Sequence, residues 1–394
     1  MIKKIVLVVV IAWVFMIIQL IAYVMIVVIV FVSFGFSFGI GPIPAGKWDL
    51  KGGHSRVSNM INTKNDLELN PGPADGANCL SFSPVADYLA ASSWDGQTRI
   101  WEVNSNGSSV AKAAIPHDGP SLSCAWSGDG MKCFSGGADK TVKILDLSSG
   151  QSMSFVAHEQ AIRSMKWVSA GNVQALVTGS WDKSVKYWDL RSPQPLATVQ
   201  LPERCYAMDA AGDLLVVGTA ERHVLIFNLA NPAAPFKTIQ SPLKWQTRTI
   251  SCFPGSNGFA IGSIEGRVGL QYVNSTKTED NFAFKCHRDE KMVYPVNSIS
   301  FNPTFGTFST AGADGYIHTW DKDSRQRLES SVALGGPIQA TTYNRNGSLF
   351  AYSIGYDWFK GHEFYEANSK NVIMIHPVSE NEVKPRQSSG FRRR

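Results

Sequence analysis

Histidine, a hydroxyl residue and aspartate recur together three times in this sequence, and those are the residue types of a nucleophilic hydrolase. The sets are His117, Ser135 and Asp139; His158, Thr178 and Asp182 followed by Trp188; and His287, Thr310 and Asp314 followed by Trp320. A catalytic triad is needed once, whereas these sets return at a regular interval. We therefore interpret them as buried networks that satisfy their own polar groups.

No other pattern in the chain predicts catalysis or metal binding. The sequence has no GxSxG, no GxxxxGK[ST] and no HExxH. Its six cysteines form no CxxC pair and no close Cys/His cluster, so a zinc site is not predicted: Cys79, Cys124, Cys133, Cys205, Cys252 and Cys286. We expect them to be small buried hydrophobes in a reducing compartment. The prediction is a non-enzymatic protein with no cofactor and no metal.

The elements that position the histidine sets follow from an internal repeat. Each unit has a strand of small residues, an acidic turn residue and, in most units, an aromatic or apolar residue six places later. The acidic residues are Asp95, Asp139, Asp182, Glu221, Glu265, Asp314 and Asp357, at intervals of 44, 43, 39, 44, 49 and 43. Seven units at this spacing resemble the WD40 family, which implies an all-β, seven-bladed β-propeller.

The strands within each unit alternate apolar and polar residues, as in the stretches 79–83, 141–144 and 299–301. A four-stranded sheet this small cannot bury both faces alone, so the units are expected to pack face to face around an axis. The seventh unit lacks its outer strand. We predict that the stretch 66–69 supplies it, so that an N-terminal strand closes blade seven.

Composition agrees with a β protein: 18% of the 394 residues are charged, with 34 Gly and 21 Phe. A net charge of +5 is too small to predict a nucleic-acid binder by itself. We predict four segments: a hydrophobic segment at 1–40, a linker at 41–64, the propeller at 65–383 and a basic, disordered tail at 384–394.

The hydrophobic segment has two interpretations. Residues 5–32 carry no charge and are long enough to cross a bilayer as a transmembrane helix. Alternatively, the run is a mistranslated leader, because codons with T in the second position encode the same apolar residues. Glycosylation at Asn106, Asn274 or Asn346 would place the propeller in the secretory lumen.

Several stretches resemble one particular WD40 family. They are SSWDG (92–96), TGSWDK (178–183), LPERCY (201–206), SPLKWQTR (241–248), GSIEGRV (262–268), FKCHR (284–288), VYPVNSISFNP (293–303) and SIGYDWFKGHE (353–363). Together they are similar to the mRNA export factor family, over about residues 65–386. That resemblance implies a scaffold that bridges messenger ribonucleoprotein and the nuclear pore. It further implies binding of a short, acidic, hairpin-like segment of a Gly-Leu-Phe-Gly nucleoporin.

Because such segments are acidic, the resemblance implies basic residues in the docking surface. The first candidate set follows the sixth unit: Trp320, Lys322, Arg325 and Arg327. The second set is Lys244, Trp245 and Arg248, and the third is Trp358, Phe359 and Lys360. Exposed aromatics beside lysine suit an interface with an apolar centre and a charged rim.

Two further partner predictions remain open. The basic tail could contact RNA phosphates non-specifically through Lys384, Arg386, Arg392, Arg393 and Arg394. A related mitotic-checkpoint WD40 family shares several stretches, so a spindle-checkpoint adaptor that binds kinetochore kinases is an alternative, as is a membrane-anchored WD40 protein. The family resemblance implies a location in the nucleus, at the pore and envelope, with shuttling to the cytoplasm.

Overall fold

The computed structural model describes residues 60–170, 173–192, 194–274, 278–366 and 369–386. Within them the chain forms seven antiparallel four-stranded sheets. This confirms the predicted all-β, seven-bladed propeller. The hydrophobic run 5–32 lies outside the described residues, and the described helices are all too short or too polar to cross a membrane.

Six blades are formed by four consecutive strands. Blade one is β2 (Ala77–Phe82), β3 (Tyr88–Ser93), β4 (Gln97–Val103) and β5 (Ser109–Pro116). Blade two is β6 (Ser121–Trp126), β7 (Lys132–Gly137), β8 (Thr141–Asp146) and β9 (Ser152–Val156). Blade three is β10 (Ile162–Ala170), β11 (Val173–Ser180), β12 (Ser184–Trp188) and β13 (Pro195–Gln200).

Blade four is β14 (Cys205–Ala211), β15 (Leu214–Thr219), β16 (His223–Asn228) and β17 (Lys237–Gln240). Blade five is β18 (Thr247–Cys252), β19 (Gly258–Ser263), β20 (Arg267–Tyr272) and β21 (Phe282–Lys285). Blade six is β22 (Val296–Phe301), β23 (Phe308–Gly312), β24 (Ile317–Asp321) and β25 (Gln326–Ser330). Short 3-10 turns lie at Thr63–Asn65, Ala220–Arg222, Thr278–Asp280 and His362–Phe364.

Blade seven joins the two ends of the propeller. Its strands are β26 (Ile338–Tyr343), β27 (Leu349–Ile354), β28 (Val372–Pro377) and, as the outer strand, β1 (Leu67–Glu68). Leu67 pairs with Ile375 and Glu68 with Met374. The predicted closure by an N-terminal strand is confirmed. After β28 the chain makes one turn of helix, α1 (Glu380–Val383).

Seven apolar clusters hold the blades together, and each lies between two neighbouring blades. Neighbouring blades approach closely where the penultimate residue of a second strand is glycine. A Cβ on Gly179 would lie 2.6 Å from Cys205 Sγ, and one on Gly218 would lie 2.6 Å from Ile250 Cδ1. Glycine at these positions therefore lets the next blade approach.

The strand order gives the propeller two faces with different loops. The upper face carries the turns between second and third strands and the connections between blades. The lower face carries the turns between first and second and between third and fourth strands. Since strands alternate in direction, each loop's place in the blade decides its face.

Contacts of the propeller extend into both predicted end segments, and the segment bounds stay a prediction. Ile61, within the predicted linker, is buried and its N–H donates to Ser330 O at 3.0 Å. At the other end, Arg386, within the predicted disordered tail, pairs with Glu329 at 3.1 Å. Both end segments thus pack on the outer strand of blade six over part of the predicted linker and tail.

Candidate functional site

The complete histidine set of blade three is a buried hydrogen-bond network. His158 Nδ1 lies 2.8 Å from Asp182 Oδ2, and His158 Nε2 lies 2.6 Å from Thr178 Oγ1. Burial alone would raise the pKa of Asp182, but hydrogen bonds from His158 and Ser184 outweigh it and lower the pKa. Thr178 has no solvent-exposed surface. Its hydroxyl is therefore inaccessible to a substrate.

Blades two and six repeat the arrangement. His117 lies 2.8 Å from Asp139 and 2.7 Å from Ser135. His287 lies 2.8 Å from Asp314 and 2.9 Å from Thr310. These histidines tie the loop that enters a blade to the turn between its second and third strands.

Trp320 belongs to the blade-six network. Its indole Nε1 donates to Thr310 Oγ1 at 2.9 Å, and only 3% of the residue is exposed. The equivalent Trp188 of blade three donates to Thr178 at 2.8 Å. The prediction that Trp320 contacts a partner is corrected here, because its ring is used inside the blade.

One group of possible metal-ligating residues overlaps this network: His287, Asp314 and His318, whose ligand atoms lie within 4.8 Å of one another. Both ring nitrogens of His287 already make hydrogen bonds, to Asp314 and Thr310. His318 Nδ1 lies 2.9 Å from Ser330 Oγ. The cluster is therefore explained by hydrogen bonding.

The exposed tryptophans concentrate on the upper face. Within the described residues four are exposed: Trp94 (41%), Trp181 (40%), Trp245 (61%) and Trp358 (42%). All four lie in turns between second and third strands or in a connection between blades. Large exposed aromatics gathered on one face are typical of a protein-binding surface.

The inner strands add a ring of side chains at the upper end of the central channel. Each inner strand has an irregularity in its pairing at its second residue. The seven residues at this position are Asn78, Leu122, Arg163, Tyr206, Arg248, Asn297 and Gln339. A bulge re-aims a side chain out of the strand's regular alternation. Arg163 and Arg248 are the two charged members.

Arg248 connects two of the predicted partner-binding sets. Its Nε donates to Asn297 Oδ1 at 3.0 Å and its Nη2 donates to Asp357 O at 3.3 Å. Asn297 Nδ2 also donates to Asp357 Oδ2 at 2.6 Å. Burial raises the pKa of Asp357, against the effect of these two partners. The set Lys244, Trp245 and Arg248 therefore adjoins the set Trp358, Phe359 and Lys360.

The loop that carries Trp358 is built from stacked aromatic rings. Trp358 and Tyr365 stack with ring centroids 5.0 Å apart and an interplanar angle of 7°. Phe359 lies 5.9 Å from the Tyr294 ring, and Lys360 Nζ lies 5.3 Å from the Phe359 ring. The stacking orders Trp358 while 42% of the residue stays exposed.

Arg163 has no hydrogen-bond acceptor or carboxylate partner within the described residues. Burial lowers the pKa of Arg163, and the charge of Arg248 lowers it further. The mouth of the channel therefore holds one partnered and one unpartnered guanidinium. Two cations that repel each other at a partly buried site favour an incoming carboxylate.

The first predicted set lies on the opposite face. Lys322 and Arg325 belong to the lower-face turn between β24 and β25, and Arg327 lies on β25. Lys322 Nζ pairs with Asp323 at 2.7 Å. The Arg325 guanidinium lies 4.4 Å from the Phe282 ring and donates to Glu279 O at 2.8 Å. Two of these three cations are thus already partly engaged.

The predicted RNA-contact residues are only partly described. Lys384 Nζ lies 3.4 Å from Glu380, and Arg386 pairs with Glu329. Arg392, Arg393 and Arg394 lie outside the described residues. RNA contact by the tail therefore stays a prediction.

Comparisons with known proteins agree with this architecture. The family model "WD domain, G-beta repeat" matches residues 67–102, 112–146, 150–189 and 280–321. The chain is 50% identical to the Poly(A)+ RNA export protein of Schizosaccharomyces pombe over 342 residues, 85% of this chain and 97% of the relative. It is also 50% identical to mRNA export factor GLE2 of Chaetomium thermophilum over 341 residues (84% and 96%). Protein RAE1 of Arabidopsis thaliana is 48% identical over 333 residues (84% and 95%).

The chain belongs to the mRNA export factor family. Within this family member, the matched repeats correspond mainly to blades one, two, three and six, three of which contain the histidine networks. The predicted family is confirmed, and so are its WD40 repeats.

Sequence reasoning missed Arg163, Trp94 and Trp181 as candidate site residues of this chain. Trp94 and Trp181 directly precede the repeat's acidic turn residue, so counting strands would have placed both on the upper face. Arg163 is the second residue of its inner strand, which is the bulge position. That signal is visible only when the seven inner strands are aligned.

Proposed function

We propose that this chain is a non-enzymatic WD40 scaffold in mRNA export. It docks on the nuclear pore by binding a short acidic segment of a Gly-Leu-Phe-Gly nucleoporin on its upper face. One observation carries the proposal: the exposed tryptophans and two of the three predicted cationic sets lie together on that face.

The aromatic residues supply the apolar part of the docking surface. Trp245 is the most exposed of the four tryptophans, at 61%, and it adjoins the exposed Lys244. Tryptophan is among the residues that contribute most binding energy in protein interfaces, because a large rigid ring is desolvated at little entropic cost.

Electrostatics select an acidic segment. Arg163 and Arg248 lie at the channel mouth, with Lys244 and Lys360 on the loops around it. The carboxylate that faces Arg248, that of Asp357, is buried and hydrogen-bonded to Asn297. This part of the face therefore attracts carboxylates, and exposed cations at its rim speed encounter with an acidic partner.

The names of the relatives support the export role and, with it, a nuclear function. A location at the pore and envelope is part of the proposal. We further propose that the scaffold bridges messenger ribonucleoprotein to the pore, with non-specific RNA contact by the basic tail. A checkpoint adaptor and a membrane-anchored protein are the competing proposals. Peptides that co-purify with the native protein would separate them.

Titration of a fluorescent peptide with the acidic nucleoporin segment tests the docking site. We expect Lys244→Glu, Trp245→Ala and Lys360→Glu together to raise Kd by at least about hundredfold, since they remove an anchor and reverse two charges. All three side chains are surface groups, so the melting temperature should not change. Unchanged affinity in this triple variant would reject the upper-face site.

The lower-face set provides a matched triple variant. Lys322→Glu, Arg325→Glu and Arg327→Glu together reverse three charges, one more than the upper-face variant, and leave the upper face intact. A segment confined to the upper face cannot reach them, so we expect Kd to stay within about threefold of the wild type, as for screened distant charges. Loss of binding in this variant alone would move the docking site to the lower face.

A further inference from the structure

The six cysteines differ in their surroundings. Five are buried, whereas Cys79 is partly exposed. Cys79 lies on β2, the innermost strand of blade one, so its exposed part borders the central channel. Cys79 is therefore the most exposed of the six cysteine residues.

A second thiol faces Cys79 across the junction of blades one and two. Cys124 Sγ on β6 lies 3.8 Å from Cys79 Sγ. The contacts are reciprocal: Cys79 Sγ lies 3.8 Å from Cys124 O, and Cys124 Sγ lies 3.9 Å from Cys79 O. An S–S bond is about 2.0 Å long, so the two sulfurs need to approach by about 1.8 Å.

The surroundings favour a thiolate at Cys79. The hydrogen bond from the Cys124 thiol lowers the pKa of Cys79, against the opposing effect of burial, and the Lys166 ammonium lowers it further. Lys166 is itself held by Asp209 at 2.8 Å. The thiolate is the reactive form of cysteine.

We propose that Cys79 and Cys124 form a peroxide-sensitive dithiol that closes to a disulfide between blades one and two. The oxidant is hydrogen peroxide. This dithiol is independent of the export role and of the docking surface.

The chemistry balances in two steps. The Cys79 thiolate attacks one peroxide oxygen; an S–O bond forms, the O–O bond breaks, and the departing hydroxide takes a proton to become water. Cys124 sulfur then attacks the Cys79 sulfenic acid; the S–S bond forms, the S–O bond breaks, and a second water leaves with the Cys124 proton. Two thiols are oxidised and one hydrogen peroxide is reduced to two waters.

Peptide mapping of the full chain tests the proposal. Reduced wild-type protein is treated with hydrogen peroxide, alkylated under native and then denaturing conditions, digested and analysed by mass spectrometry. We expect a cross-linked Cys79–Cys124 peptide that has lost two hydrogens and that dithiothreitol separates. Recovery of both peptides in the alkylated, unlinked form would overturn the proposal.

Two serine variants separate the roles of the thiols. Cys124→Ser should stop the reaction at the Cys79 sulfenic acid, which dimedone traps. Cys133→Ser removes a fully buried thiol of the same apolar cluster and should leave the cross-link unchanged.

In the untreated wild type, alkylation of Cys79 should be at least about tenfold faster than that of Cys133. Equal rates would contradict a selectively reactive Cys79.

Discussion

At the scale of single residues, the histidine networks show how a buried polar set can look like a catalytic one. In blade three the imidazole of His158 bridges a carboxylate and a hydroxyl, and Trp188 donates to the same hydroxyl. Every polar atom of this group that burial removes from water gains a partner inside the blade. The network therefore stabilises the loop that leads into the blade and the turn between its second and third strands.

Removing one member should leave the others buried without partners. We predict that His158→Ala lowers the free energy of unfolding by about 2–4 kcal/mol, because Asp182 and Thr178 both lose a hydrogen bond. Urea denaturation followed by tryptophan fluorescence measures the effect.

His223→Ala is the control for this experiment. The His223 side chain is one-third exposed and lies 3.9 Å from Glu221, so its loss should cost less than about 0.5 kcal/mol. If both variants lowered the free energy of unfolding equally, the blade-three network would contribute no more to stability than an exposed histidine does.

At the scale of elements, an ion-paired histidine fastens both ends of the propeller to β28. His376 Nδ1 lies 2.6 Å from Asp66 Oδ1, just before β1, and His376 Nε2 lies 2.9 Å from Glu382 Oε2 in α1. Burial alone would lower the pKa of His376, but the hydrogen bonds to Asp66 and Glu382 raise it to about 9. The imidazole is therefore charged in the folded protein at neutral pH.

This raised pKa predicts a pH-dependent contribution to stability. The contribution is fully present below the ordinary histidine pKa of 6.5 and is lost as the pH rises through about 9. It should amount to about 3 kcal/mol. We expect the difference in unfolding free energy between wild type and His376→Gln to shrink between those pH values. A difference that does not vary with pH would mean that the imidazole stays neutral.

At the scale of the whole molecule, the ring is closed by packing as well as by strand pairing. One apolar cluster joins blades seven and one, and Leu69 is buried completely within it. Its N–H also donates to Ile373 O at 2.9 Å. The residue after β1 thus anchors the N-terminal strand in the core between the first and last blades.

Two leucines of this segment make a matched pair. Leu69→Ala should lower the free energy of unfolding by about 2–5 kcal/mol, as for other fully buried leucines. Leu67→Ala should change it by less than about 0.5 kcal/mol, because Leu67 is 40% exposed. Thermal and urea unfolding of both variants test this prediction. A small change in the free energy of unfolding for Leu69→Ala would show that closure of the ring contributes little to stability.

The repeat pattern was enough to predict the architecture. Each blade needs one acidic turn between its second and third strands, so the positions from Asp95 to Asp357 revealed seven blades. The outer strand that blade seven lacked pointed to the stretch before blade one. These features are local or periodic, and a sequence displays both directly.

The arrangement of the candidate site depended on the tertiary structure. Arg248 meets Asp357 109 positions later, and Asp66 meets His376 310 positions later. The sulfurs of Cys79 and Cys124 approach only because neighbouring inner strands face each other. Strand order could separate Lys322 from Lys244 onto opposite faces, but it could not show that Asp323 pairs with Lys322. Such contacts depend on bulges, loop conformations and ring closure, which orient side chains far apart in the chain and leave no periodic trace in the sequence.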